Sequence, residues 1–203
     1  MFLAWESPLD RASLEWPHAE PVLEVRPTTD ADLESIARIH GDAFGPEEGP
    51  VIVDLVRELL RDETALPRLS ILAESGGRPT GHVLFTAVRL DGPGERPVAR
   101  ILSPVAVLPE LQGQGVGARL IERGLAILED RGVDLVFVLG DPAYYARFGF
   151  QPAGSLGFEA PYPIPGENAA AWRVRALSPG AAERFAGRVE CAPALDRPEH
   201  WIE

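Results

Sequence analysis

Lysine is absent from this chain of 203 residues, so all 19 of its basic side chains are arginines. That absence removes Schiff-base and pyridoxal chemistry, and with them the lysine of a nucleotide phosphate loop. Cysteine occurs once, at Cys191, with no companion for a disulfide or a thiolate zinc site. His18, His40, His82 and His200 are scattered, with no pair at the helical spacing of a zinc site. Each is expected to be a surface or locally hydrogen-bonded residue, and no metal is expected. Also missing is any apolar run long enough to span a bilayer, while Met1 to Ser13 lacks the basic start and apolar middle of a signal peptide. A cytoplasmic protein with no membrane partner is the expectation. Positive charge is in deficit, with a formal net charge of -12. This argues against nucleic acid, whose binding depends on basic groups neutralising phosphates, and favours a cationic small substrate.

A hydrophobic content of 45% suits one globular domain with a modest extension. Residues 1–21 carry Trp5, Trp16 and several prolines without a clear period, and are expected to form an N-terminal arm. Leu23 to Arg26 reads as a strand. A helix follows from Thr29-Asp30 through Leu33, Ile36, Ile39 and Phe44, ended by Gly45-Pro46. A second amphipathic helix is predicted from Val51 to Leu60, after an acidic loop from Gly45 to Pro50 at a possible substrate mouth. Leu69 to Glu74 and Gly81 to Leu90 form a hairpin around Ser75-Gly76-Gly77-Arg78, and Ala99 to Leu108 is the next strand. A helix from about Gly115 to Arg131 has Val116, Leu120, Ile121, Leu125 and Leu128 on one face. Leu135 to Leu139 is an apolar run suited to a strand covered on both faces, and Gly140-Asp141-Pro142 leads into a short aromatic helix. Beyond Pro152 the chain is irregular, with a further strand over Ala171 to Leu177 and a short helix over Pro179 to Phe185. This order indicates an α/β fold with a mixed sheet.

Gln112-Gly113-Gln114-Gly115-Val116-Gly117 at a helix start aims several backbone N–H groups at one point. Glycines admit a ligand closely and the helix dipole favours negative charge, so a phosphate is the natural guest. Gly113, Gly115 and Ala118 also satisfy the dinucleotide fingerprint, with Asp134 about 20 residues on in the place of a ribose-binding acid. That reading fails on context. Pro109 to Gln112 separates the strand from the first glycine, and Asp134 precedes its strand, where a capping or turn role is simpler.

The run Val107-Leu108-Pro109-Glu110-Leu111-Gln112-Gly113-Gln114-Gly115-Val116-Gly117 resembles the signature of the GNAT superfamily of N-acetyltransferases. A second family feature, an aromatic turn, follows at the right distance as Tyr145-Ala146-Arg147-Phe148-Gly149-Phe150. The downstream chain is similar to a bacterial subgroup with a Pro-rich tail. The resemblance implies a mixed, mostly antiparallel central sheet flanked by helices, and an acyltransferase domain over residues 22–151. Residues 152–203 would then be a C-terminal extension packed on or completing that domain, covering the acceptor side of the cleft or serving packing. It implies acetyl-CoA as cosubstrate, a small-molecule or peptide amine as acceptor, and direct attack in a ternary complex. A non-catalytic acyl-CoA-binding or regulatory module is the alternative. Edge strands near the tail offer a route to a homodimer.

By the same resemblance, Val105, Ala106 and Val107 pair with the pantetheine arm through backbone groups, although their side chains also suit a core. Gln112 to Gly117 hold the pyrophosphate, and a backbone N–H of the strand stabilises the oxyanion. Tyr145 matches the tyrosine that meets the departing thiolate, with Tyr144 as the neighbouring alternative. A phenol of pKa ~10 protonating a thiolate of pKa ~8.5 runs uphill by about 2 kcal/mol in water, so hydrogen bonding is the safer role. No residue stands out as general base. Ser103 is placed to order a water, and Glu47, Glu48 and Asp141 are acidic neighbours of the acceptor, though for each a solvated or turn contact is the simpler role.

Overall fold

The computed structural model describes residues 23–92 and 94–201. The N-terminal arm, with Trp5, Trp16 and His18, lies outside the described residues.

One mixed sheet organises the chain. Its strands are β1 (Leu23–Pro27), β2 (Leu69–Ser75), β3 (Arg78–Asp91), β4 (Ala99–Val107), β5 (Leu135–Leu139), β6 (Gln151–Pro152) and β8 (Trp172–Ala176), in the order β1-β2-β3-β4-β5-β8-β6. Along this path only β4 and β5 run parallel. Strands β7 (Phe158–Glu159) and β9 (Gly187–Glu190) pair with each other, and β9 also extends the far end of β3. The strands predicted along the chain through Leu139 and over Ala171 to Leu177 are present, and β8 returns antiparallel beside β5; β6, β7 and β9 fall outside the predicted strands.

Helix α1 (Leu33–Arg61) covers one face of the sheet, with Ile36, Ile39 and Val56 packed with Leu72, Ala106 and Leu108, and Leu55 and Leu59 packed with Leu84 and Ile101. It is two helices joined at Gly45, whose backbone is left-handed (φ 74°). The predicted loop from Gly45 to Pro50 does not form. One left-handed glycine turns the chain, and Pro46 starts the next helix where a missing N–H costs nothing. The two halves then meet so closely that a Cβ on Gly49 would lie 2.6 Å from the carbonyl oxygen of Gly41.

Helix α2 (Val116–Asp130) covers the opposite face, burying Val116, Leu120, Ile121, Leu125 and Leu128 as their spacing predicts. Gly124 lets the helix settle on the edge of Phe85, where a side chain would collide. Short helices α3 (Pro142–Ala146) and α4 (Ala181–Arg184) follow. Along the side that Leu55 and Leu59 of α1 cover, an apolar cluster joins Phe137 and Phe158 to Trp172 and Trp201, so the end of the described chain packs on the sheet.

Two of the histidines are not where the sequence suggested. His40 and His82 are fully buried, 2.8 Å apart, and His82 also bonds the Ser70 hydroxyl at 2.9 Å. Partners 42 residues apart along the chain carry no local signal. Burial lowers the pKa of His40 to about 4 and holds His82 well below the usual value, so both are neutral at pH 7. Cys191 is half-buried, and burial pushes its thiol up, away from a reactive thiolate.

Candidate active site

Strands β4 and β5 pair only from Ala99↔Leu135 to Ile101↔Phe137, although β4 continues to Val107. The β3–β4 ladder also shifts register between Val83↔Val105 and Phe85↔Leu102, so Ser103 and Pro104 fall in a bulge. A bulge bends its strand, and Pro104 has no N–H to offer a neighbour. The strands part, and two cavities occupy the opening.

The smaller cavity, about 370 Å³, lies against the start of α2. Gln112, Gly113, Gly115, Val116 and Gly117 line it, with Val107 on one side and Tyr144 and Arg147 on the other. Gly113 (φ 75°) and Gly115 (φ 85°) are left-handed, and nothing lies within 4 Å of where a Cβ would sit on either. The first turn of α2 carries N–H groups without helical partners. Left-handed glycines, open space and unpaired donors together make a cradle that fits a phosphate. Gln112 closes the loop by donating its amide to the Val107 carbonyl at 3.1 Å. Gln114 donates to the Glu110 carbonyl at 2.9 Å and is not in the cavity wall. Arg147 stacks over the Tyr144 ring, 4.5 Å from its centroid, and is the cation of this wall. Sequence reasoning missed Arg147; its position three residues after Tyr144, on the same helical face, was the available signal.

The larger cavity, about 760 Å³, lies on the other side of the parted strands. Ser103 and Val105 line it from β4, and Tyr145, 7% exposed, lines it from α3. The two tyrosines are thus divided, Tyr145 toward the larger cavity and Tyr144 toward the phosphate cradle. Burial raises the pKa of Tyr144, partly offset by Arg147. Gly140 makes room for Tyr145, since a Cβ there would lie 2.7 Å from the ring. Ala106 lines neither cavity; its side chain packs under α1. Glu47, Glu48 and Asp141 are all in the wall of the larger cavity. Asp141 also caps α3, accepting the Tyr144 N–H at 2.8 Å.

The rest of that wall was not legible residue by residue. Leu195, Glu199, His200 and Trp201 arrive from the C-terminal segment. Trp201 is held by its indole N–H on the Leu195 carbonyl at 2.9 Å, and Arg197 pairs with Glu58 of α1 at 2.5 Å. Asp134, the ribose-binding candidate of the dinucleotide reading, instead accepts from the Val98 N–H (2.8 Å) and the Ser178 hydroxyl (2.6 Å). It is a turn residue remote from the glycine loop. Among the described residues there is no group of metal-ligating side chains, and no helix is long and apolar enough to cross a membrane.

Residues 24–153 match the acetyltransferase (GNAT) domain family. The chain belongs to that family. It is similar to the uncharacterized N-acetyltransferase YjhQ of Escherichia coli K12, with 43% identity over 81% of this chain and 90% of the relative. In three dimensions it resembles the GNAT N-acetyltransferase YhbS of Escherichia coli, solved in complex with CoA, at a TM-score of 0.77 and 28% identity, covering 89% of this chain and 94% of the other. A GNAT acetyltransferase of Brucella melitensis, solved with acetyl-CoA, superposes at a TM-score of 0.64 and 31% identity, over 86% of this chain and 99% of the other. The α/β fold, with its largely antiparallel sheet flanked by helices, is the GNAT fold, and the N-acetyltransferase names of the relatives mark the chain as an acyltransferase.

Proposed function

We propose that the protein transfers an acetyl group from acetyl-CoA to a primary amine by direct attack within a ternary complex. The observation that carries this reading is the pair of cavities that both draw on β4 and on the adjacent Tyr144 and Tyr145, one a glycine cradle for phosphate and the other walled by Tyr145 and carboxylates. The relatives solved with CoA and acetyl-CoA support the choice of donor.

In this mechanism Gly113, Gly115 and the first turn of α2 hold the pyrophosphate. The β4 edge beyond Ile101, which lacks a β5 partner, receives the pantetheine arm through the backbone of Val105 to Val107. The neutral amine attacks the thioester carbonyl carbon, a C–N bond forms, and a β4 backbone N–H stabilises the oxyanion. Collapse breaks the C–S bond, the electron pair leaves with sulfur as thiolate, and Tyr145 hydrogen-bonds that thiolate. The ammonium proton ends on CoA or solvent, giving the amide and CoA thiol. A protonated amine must first lose its proton, which costs roughly 4 to 5 kcal/mol at neutral pH. Ser103 orders a water on that route. Residues 152–203 belong to the same domain in this account and complete the acceptor side.

The reading is tested by intact mass spectrometry after incubation with acetyl-CoA and no acceptor. Direct attack leaves the protein mass unchanged, and the lack of lysine removes the commonest site of stray acetylation. A stoichiometric gain of one acetyl group that an amine then discharges would contradict it in favour of a covalent intermediate.

A further inference from the structure

The proposed reaction leaves the acceptor unnamed beyond its amine. Its wall has an unusual charge inventory. Glu47, Glu48, Asp141 and Glu199 line the larger cavity, and no arginine does. Four other cavities among the described residues each have arginine in the wall: Arg57, Arg147 with Arg175, Arg147 again, and Arg188. The nearby tail arginine, Arg197, is tied to Glu58. None of the four lining carboxylates makes an ion pair among the described residues. The position of Glu47 and Glu48 in the first turn after Gly45 suits a helix dipole, but that does not explain Glu199 arriving from a segment 150 residues later.

A second feature points to a ligand rich in donors. The Nε2 atom of His200, a residue of this wall, is buried with no hydrogen-bond partner. The groups facing the ring are Glu199, Arg197 and Glu58; desolvation, with help from Arg197, outweighs the two carboxylates and keeps the imidazole neutral and able to accept. Beside these polar groups lie apolar surfaces of Val51, Ile52, Leu55, Leu195 and Trp201. Carboxylates at the rim with an apolar floor suit a hydrocarbon chain ending in a cation.

We propose that the acceptor is a small aliphatic amine bearing a second positive charge, and that Glu47, Glu48 and Glu199 select it. One nitrogen is acetylated while the other stays protonated against these carboxylates, and Trp201 and Leu195 cover the connecting chain. The C-terminal segment, which lies beyond the family-matched residues 24–153, is then the specificity-determining wall. A carboxylate-bearing acceptor is repelled.

This rests on the transferase reading, and the test separates the two. Cadaverine, pentylamine and δ-aminovalerate share a five-carbon chain and an attacking amine, and differ in a terminal cation, no charge or an anion. Thiol release from acetyl-CoA should give the highest kcat/KM for cadaverine, about tenfold above pentylamine, with δ-aminovalerate lowest. In the triple variant Glu47→Gln/Glu48→Gln/Glu199→Gln the ranking should compress to within about threefold, with thermal stabilisation by acetyl-CoA retained as proof of a folded cosubstrate site. An equal or reversed ranking overturns the proposal. So does a ranking that survives the triple substitution, or no turnover of any of the three when acetyl-CoA stabilises the protein. Absence of stabilisation by acetyl-CoA would instead remove the transferase reading beneath it.

Discussion

The two cavities at the parted strands are built in opposite ways. The phosphate cradle is made chiefly of backbone from one short stretch, Leu111 to Ala118, joined by Tyr144 and Arg147 of the aromatic turn. The larger cavity, proposed for the acceptor, is made of side chains from α1, β4, the β5–α3 turn and the C-terminal segment, which converge from across the chain. A backbone cradle demands glycine at specific turns, so its chemistry is tied to local sequence. A side-chain wall tolerates exchange at each position, which suits a shared cosubstrate on one side and a variable acceptor on the other.

The sharpest way to break this comparison is at Tyr145, which lines the larger cavity by geometry and belongs to the chemistry by proposal. Tyr145→Phe should lower kcat by about a hundredfold or more, a typical range for losing a positioned proton or hydrogen-bond donor. Acetyl-CoA affinity measured by calorimetry should stay within about twofold, because the cradle is untouched. Equal loss of both would make Tyr145 a packing residue of α3.

The buried histidine pair sharpens the comparison from outside both cavities. Its folded-state pKa values lie below the unfolded value, so the unfolded chain binds more protons and stability falls as pH drops below about 6.5. The loss continues down toward the His40 value of about 4. At pH 5, His40 alone should cost about 2 kcal/mol. Thermal midpoints from pH 7 to 5 should show this slope, and His40→Leu/His82→Leu should flatten it. A slope unchanged in the double variant would assign the acid limb elsewhere.

Gly115→Ala probes the cradle directly. The left-handed φ of 85° costs a Cβ-bearing residue about 1 to 2 kcal/mol, so the free loop relaxes away from it and acetyl-CoA, which must restore the cradle, should bind roughly tenfold more weakly, with the acceptor ranking unchanged. The smallest effect is expected from Gly140→Ala, whose methyl must push the Tyr145 ring. A drop in kcat of about fivefold with unaltered acetyl-CoA affinity would fit a displaced but present hydroxyl.

How far the sequence disclosed this arrangement follows from the same contrast. The succession of strands along the chain through β5, the apolar face of α2 and the glycine loop were all legible, because each rests on local periodicity or a glycine requirement. The α1 kink was misread as a loop since Gly45, Pro46, Gly49 and Pro50 look like a break, whereas one left-handed residue supplies the whole turn. His40 and His82 were missed because their bond spans the core. Ala106 shows that the core reading of a side chain and a backbone role are separate matters, since strand alternation turns its side chain under α1 and away from both cavities. The acceptor wall from Leu195 to Trp201 was least visible, as no spacing along the chain foretells which distant segment closes a cavity.

Thermal unfolding of the protein alone and with acetyl-CoA, CoA or NAD tests the central claim most directly. At a hundredfold excess over the dissociation constant, occupancy of the cradle adds about 2.7 kcal/mol and lifts the midpoint by roughly 5 to 10 °C for a chain of this size. The account predicts that rise with acetyl-CoA and CoA and none with NAD. No response to either CoA ligand, or a rise with NAD alone, would contradict it.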